Sequence, residues 1–398
     1  MLNNLTTTQR NLLVAIGAVI VFVLSTSISY SAFAAKFGAA PLLGGNSALP
    51  TSSGGAEDET GPKTEPCPLN GELHNKDAKA TWEKRRPLAV MIENSTDARP
   101  QSGVSKADVV YETVAEGGIT RFMTVFYCNS LSDIQVGPVR SARTYFLDWL
   151  SEYDALYAHV GGANDANGGP ADALGQIITY KVKDLNQFNI GFPTFWRDYQ
   201  RLKKADGSPV ATEHTMYSTT LKLWQVGEKR GWVNPDDKGK KWETAFTPWK
   251  FKDGKASSGT TNAIEVNFWE GYNDYKVNWT YDAATNSYKR KNGGQDQMDL
   301  NNNKQLSPTN VVVQFQKESH ANDGYEGNVH LLYANSGAKG APSGTALIFQ
   351  NGQAIKGKWM KATRLDREKF VDENGKEVEF VKGQIWIETV PEGSKVTY

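Results

Sequence analysis

Only two cysteines, Cys67 and Cys128, and five histidines occur in 398 residues. No Cys-x-x-Cys pair and no His/Cys cluster is present, so no metal site is expected. Nor is there a cofactor motif. The loop Gly161–Gly169 is rich in glycine but does not end in the Gly-Lys-Ser/Thr of a phosphate-binding loop. No serine or cysteine sits in a nucleophile elbow. Charge of one sign is also missing: 44 basic residues balance 44 acidic ones, which removes the footprint of a nucleic-acid partner. No repeat of fixed period is found.

What is present begins with export. Leu12 to Ala35 contains no charged side chain. As a helix this segment spans about 36 Å at about 1.5 Å per residue, enough for a hydrocarbon core of roughly 30 Å. Arg10 precedes it and Lys36 follows, which slightly favours an N-in, C-out orientation. The expectation is a single transmembrane anchor over residues 1–35. Ala32-Phe33-Ala34 keeps a cleaved signal peptide open as the alternative. Both readings export the rest. Residues 36–66 are rich in Gly, Ser, Pro and Ala and read as a flexible linker. Outside the cytoplasm, two thiols favour a Cys67–Cys128 disulfide over two buried free thiols.

The remaining chain alternates strand signals with two helical ones. Arg86–Glu93 reads as a buried strand. Asp108–Glu116 and Ile119–Cys128 flank Gly117-Gly118 and read as a hairpin. A helix is expected from Gly137-Pro138 to about Tyr157 and another over Thr219–Arg230. Beyond Thr247–Thr261 the pattern turns β-rich, with hairpins at Asn351-Gly352 and Asn374-Gly375. The predicted class is α+β: a mixed α/β domain over 67–250 and a β-rich domain over 255–398, after the N-terminal transmembrane helix.

Several segments together carry a family resemblance. They are Cys-Pro-Leu-Asn-Gly at 67–71, Arg-Arg-Pro-Leu-Ala-Val-Met-Ile-Glu-Asn at 85–94, Ala-Arg-Pro-Gln-Ser-Gly at 98–103, Glu-Gly-Gly-Ile-Thr-Arg-Phe at 116–122 and Gly-Pro-Val-Arg-Ser-Ala-Arg at 137–143. With Asn351-Gly352 and Gly357-x-Trp359, they make the chain similar to the YerB-type bacterial lipoproteins over nearly everything after residue 66. The resemblance implies two domains on the outer side of the membrane and no assigned reaction. The chain departs from it in lacking a lipid-attachment cysteine, and in placing Asn164-Asp165 after Gly161-Gly162.

The densest chemical signal is Gly137–Arg143. Two cations, Arg140 and Arg143, on the first turn of a helix oppose its dipole and call for an anion. It is either an external phosphate or carboxylate held by the guanidinium forks, or one of the chain's own acids, Asp108, Glu112 or Glu116. Arg121 is expected to face Val114 across the hairpin, with Glu112 and Glu116 as diagonal partners. Arg99 joins the candidate cleft. His159, before the glycine pair, is either a general base or a hydrogen-bonded, half-buried histidine. Trp242, Trp249, Trp269 and Trp279 lie in polar surroundings, where they either stack on glycans or pack in the core. Two functions compete: a binder of an anionic cell-wall or phosphate-bearing ligand or a protein partner, and an enzyme on a phosphorylated precursor. No cofactor is expected for either.

Overall fold

Ten strands build one sheet: β1 Leu88–Glu93, β2 Val109–Glu116, β3 Ile119–Phe126, β4 Leu156–His159, β5 Lys183–Asn186, β6 Asn310–Gln316, β7 Ser343–Gln350, β8 Gln353–Met360, β9 Lys369–Asp372 and β10 Ile385–Pro391. They lie in the order β9-β8-β7-β6-β10-β2-β3-β1-β4-β5. The central strands read as near-continuous apolar runs because both of their faces are covered. These observations come from a computed structural model that describes residues 61–398 apart from 166–168, 258, 323–330 and 334–341. The expected N-terminal anchor and most of the linker lie outside the described residues. Among the described residues no helix is long and apolar enough to cross a membrane.

Among the described residues the fold is mostly sheet with few, short helices. Strand β10, from the C-terminal segment, sits parallel between β6 and β2, so the sheet takes strands from both segments. A five-stranded sheet built around Val277–Asp282 and Ser287–Asn292 stands beside it. Glu112, Arg290 and Glu388 join the sheets. The fully buried Arg290 guanidinium meets Glu112 at 2.7 Å and Glu388 at 2.8 Å, with Trp279 and Trp386 against its faces. Burial pushes the Glu388 carboxyl up, and the neighbouring Glu112 charge adds to that push against the pull of Arg290.

The disulfide forms as expected, joining Cys67 to Cys128 with Cα atoms 5.9 Å apart. The second expected helix appears as Thr220–Lys229, with the Thr219 side chain capping Lys222 N–H. The first does not begin at Gly137. It covers only Thr144–Leu150, with Arg143 in the N-cap position. The backbone of 137–142 is used elsewhere: Val139 N–H donates to Met216 O, Arg140 N–H to Met91 O and Ala142 N–H to Gly161 O. Those bonds to distant segments replace the i−4 bonds a helix needs. The Asn374-Gly375 hairpin forms, with Val371 bridging Glu377 and Val378 N–H donating to Phe370 O, but its second arm then leaves β9. Glu379–Val381 pairs in parallel with Lys250–Lys252.

Candidate arginine–carboxylate site

Glu116 ends β2, and Gly117-Gly118 turn the chain into β3. Ala115 is an extra residue in this hairpin, so the register shifts between Val114 and Glu116. Arg121 therefore faces Thr113 rather than Val114, and only Glu116 of its two expected partners meets it, at 2.9 Å. Glu112 points to the other face, toward Arg290. Arg143 reaches the second oxygen of Glu116, and Arg140 stands 3.9 Å away. Three guanidinium groups thus surround one carboxylate. Burial pushes the Glu116 carboxyl up, but the charges of Arg121, Arg143 and Arg140 outweigh it and hold the group down at about 2.

Arg121 and Arg143 are buried and also donate to the main chain, Arg121 to Ser141 O at 3.0 Å and Arg143 to Ala142 O at 2.9 Å. They are internally committed. Arg140 is not. Its side chain is 23% exposed, and its Nε, 3.3 Å from Glu93 Oε1, makes no hydrogen bond. Glu93, at the end of β1, is buried. Its Oε2 takes His214 Nδ1 at 2.9 Å, and its Oε1 accepts from Ser95 Oγ at 3.0 Å. The hydrogen bond to Glu93 raises the His214 pKa above its ordinary value. His214 Nε2 has no hydrogen-bond partner among the described residues. Ser95 and Glu93 both face Nδ1, so the trio is not a serine-hydrolase triad, in which the serine addresses Nε2. The site offers an excess of positive charge around Arg140, beside an oriented imidazole.

Comparison with known proteins places the chain. Residues 71–233 match "Protein of unknown function (DUF3048) N-terminal domain" and residues 264–387 match its C-terminal domain. The chain is 30% identical over 310 residues to YerB, named as a lipoprotein, from Bacillus subtilis (strain 168), covering 78% of this chain and 82% of that protein. The chain belongs to the YerB family. A crystal structure of the Bacillus subtilis YerB protein superimposes with a TM-score of 0.67 at 25% identity, covering 84% of this chain and all of that one.

Within this YerB-type fold the other predicted residues fall outside the cluster. Asp108 lies beside the disulfide, accepting from Tyr127 N–H at 2.6 Å, Cys128 N–H at 3.1 Å and Asn70 Nδ2 at 2.9 Å. Burial raises its pKa to about 7. Cys67, Asp108 and Cys128 come together as a potential ligand set, but the disulfide uses both sulfurs. Arg99 ties down Asn94 and the Asp274 carbonyl. His159 uses both ring nitrogens, on Gly161 O and Asp184 Oδ1, each at 2.7 Å, leaving neither for a ligand. The pairing of Glu93 with His214, a histidine whose polar loop is visible in the sequence, is what sequence reasoning missed. The two lie 121 positions apart, and the signal on the Glu93 side was a glutamate closing an otherwise apolar strand.

Proposed function

We propose that the protein is an extracytoplasmic cell-envelope protein, held to the membrane through its apolar N-terminal segment, that binds an anionic envelope ligand or the acidic face of a protein partner at Arg140. The lipoprotein name of its relative and the uncharged N-terminal run support the location. Arg140 carries the binding reading. Its guanidinium is half-buried and incompletely paired, in a cluster where three arginines meet two carboxylates. A phosphate or carboxylate completes that pairing.

Thermal unfolding with inorganic pyrophosphate and with detergent-solubilised polyprenyl phosphate tests it. The wild type is expected to gain stability in a saturable way, and Arg140→Gln to need about 10-fold more ligand, the effect of about 1.4 kcal/mol. Binding should tighten as pH falls and His214 gains its proton. No stabilisation by either probe, or equal stabilisation of Arg140→Gln, overturns the proposal.

The Glu93–His214 pair favours a second reading, an enzyme acting on a phosphorylated cell-wall or lipid-linked precursor. A carboxylate that orients Nδ1 and leaves Nε2 free is an acid–base arrangement. Release of phosphate from polyprenyl pyrophosphate by the wild type, abolished in His214→Gln with ligand-induced stabilisation retained, would decide for it.

A further inference from the structure

On the C-terminal segment, Trp269 and Tyr272 line a groove of about 650 Å³. We infer that this groove binds a saccharide, with a pyranose ring stacked on Tyr272 and Trp269. Tyr272 is 42% exposed, whereas Trp242, Trp249 and Trp279 are buried in the core. An exposed aromatic ring held in place is a surface prepared for contact, and both rings here are held. Tyr272 lies so close over Gly118 that a Cβ there would come within 2.1 Å of the ring. Trp269 donates its indole N–H to the Glu318 carboxylate at 3.0 Å, and Tyr333 OH holds the same carboxylate. The two rings meet edge to face, 5.4 Å between centroids, which sets two apolar surfaces at an angle.

The polar lining suits hydroxyl groups. Asn267, Glu270 and Asn273 present two amides and a carboxylate on the groove, none with a side-chain partner among the described residues. A pyranose offers an apolar C–H face for a ring and a rim of hydroxyls, each both donor and acceptor, for planar amides and carboxylates. The groove volume falls in the range of roughly 300–1,000 Å³ usual for ligand sites. Gly118 is two residues from Glu116, at most about 7 Å along the chain, so one hairpin tip supports both this groove and the arginine cluster. The saccharide reading nevertheless stands without the arginine reading, because among the described residues the ion pairs of Arg140 go to Glu93 and Glu116, neither of which lines the groove.

The test is a titration of the full chain with N-acetylchitohexaose, cellohexaose and dextran, followed by tryptophan fluorescence and saturation-transfer NMR. At least one glycan should bind saturably. Tyr272→Ala should weaken it at least 10-fold, while Tyr272→Phe and Arg140→Gln keep wild-type binding. Unchanged thermal unfolding of Tyr272→Ala shows that the loss is local. No saturable binding by any of the three, or equal binding by Tyr272→Ala, overturns the inference. Loss in Arg140→Gln together with retention in Tyr272→Ala overturns it as well, moving the ligand to the arginine cluster.

Discussion

Glu116 is the residue on which the arginine cluster depends. Its carboxylate is the counter-charge for two buried guanidinium groups, and breaking a buried pair leaves an uncompensated charge worth about 3–5 kcal/mol. Glu116→Gln is therefore expected to lower stability by about 3 kcal/mol, read from urea unfolding at pH 7. The acid limb carries the same signature. A carboxylate held down at about 2 contributes stability above its unfolded pKa near 4.5, and loses it as pH falls through about 2. Glu116→Gln should flatten the stability profile over that window; an unchanged acid limb would contradict the ion-pair account. At this scale the arginines of Gly137–Arg143 were expected to meet an anion, and Glu116, one of the candidates, does meet them, although the helix dipole behind that expectation is absent because the helix starts only at Thr144. The sequence did not show that Arg121 and Arg143 would be consumed internally while Arg140 kept an open edge. That depends on which backbone the side chains leave from, and Arg140 leaves from a segment that is not helical.

The β2–β3 hairpin is the element that arranges the site. Gly117 and Gly118 both have positive φ, which the alternating runs around Gly-Gly predict. At Gly118 a side chain meets backbone strain and the Tyr272 ring together. Gly118→Ala should cost about 1–3 kcal/mol, measured by chemical unfolding, and a neutral substitution would mean that Tyr272 is free to leave. The bulge at Ala115 was not legible, because an inserted residue leaves the apolar alternation of a doubly covered strand almost unchanged. The short first helix failed to follow its pattern for a related reason. Residues 137–142 found backbone partners in four other segments, around Met91, Ser102, Gly161 and Met216, and propensity is weaker than a full set of tertiary hydrogen bonds. The disulfide belongs to this scale too, because it fastens the start of the fold to the end of β3. Replacing both cysteines by serine releases a closed loop with a separation of 61 residues and should cost about 4 kcal/mol.

For the whole molecule, buried charge joins the two family segments. Lys361 and Arg367 both meet the buried Glu152, as Arg290 meets Glu112 and Glu388. Arg290→Met leaves the buried Glu112 carboxylate without its counter-charge and should destabilise by about 3–5 kcal/mol in urea unfolding. The buried carboxyls also set a pH dependence. Burial raises the pKa of Asp108, Glu368 and Glu388. A raised carboxyl contributes stability that is complete below its unfolded pKa and is lost as pH rises through the folded value. Stability should therefore fall from about pH 5 to pH 8, and Glu388→Gln should reduce that slope. A urea midpoint that rises over this range would refute the assignment. Strand positions, the disulfide pair, the second helix and membership of the YerB family follow from sequence alone, since periodicity, turn residues and linear motifs are local properties of the chain. The shared ten-stranded sheet, the Glu93–His214 pair, the open edge of Arg140 and the aromatic groove were decided by tertiary structure. Each joins residues far apart in sequence, and only the folded backbone determines which side chains meet and which keep an unpaired face.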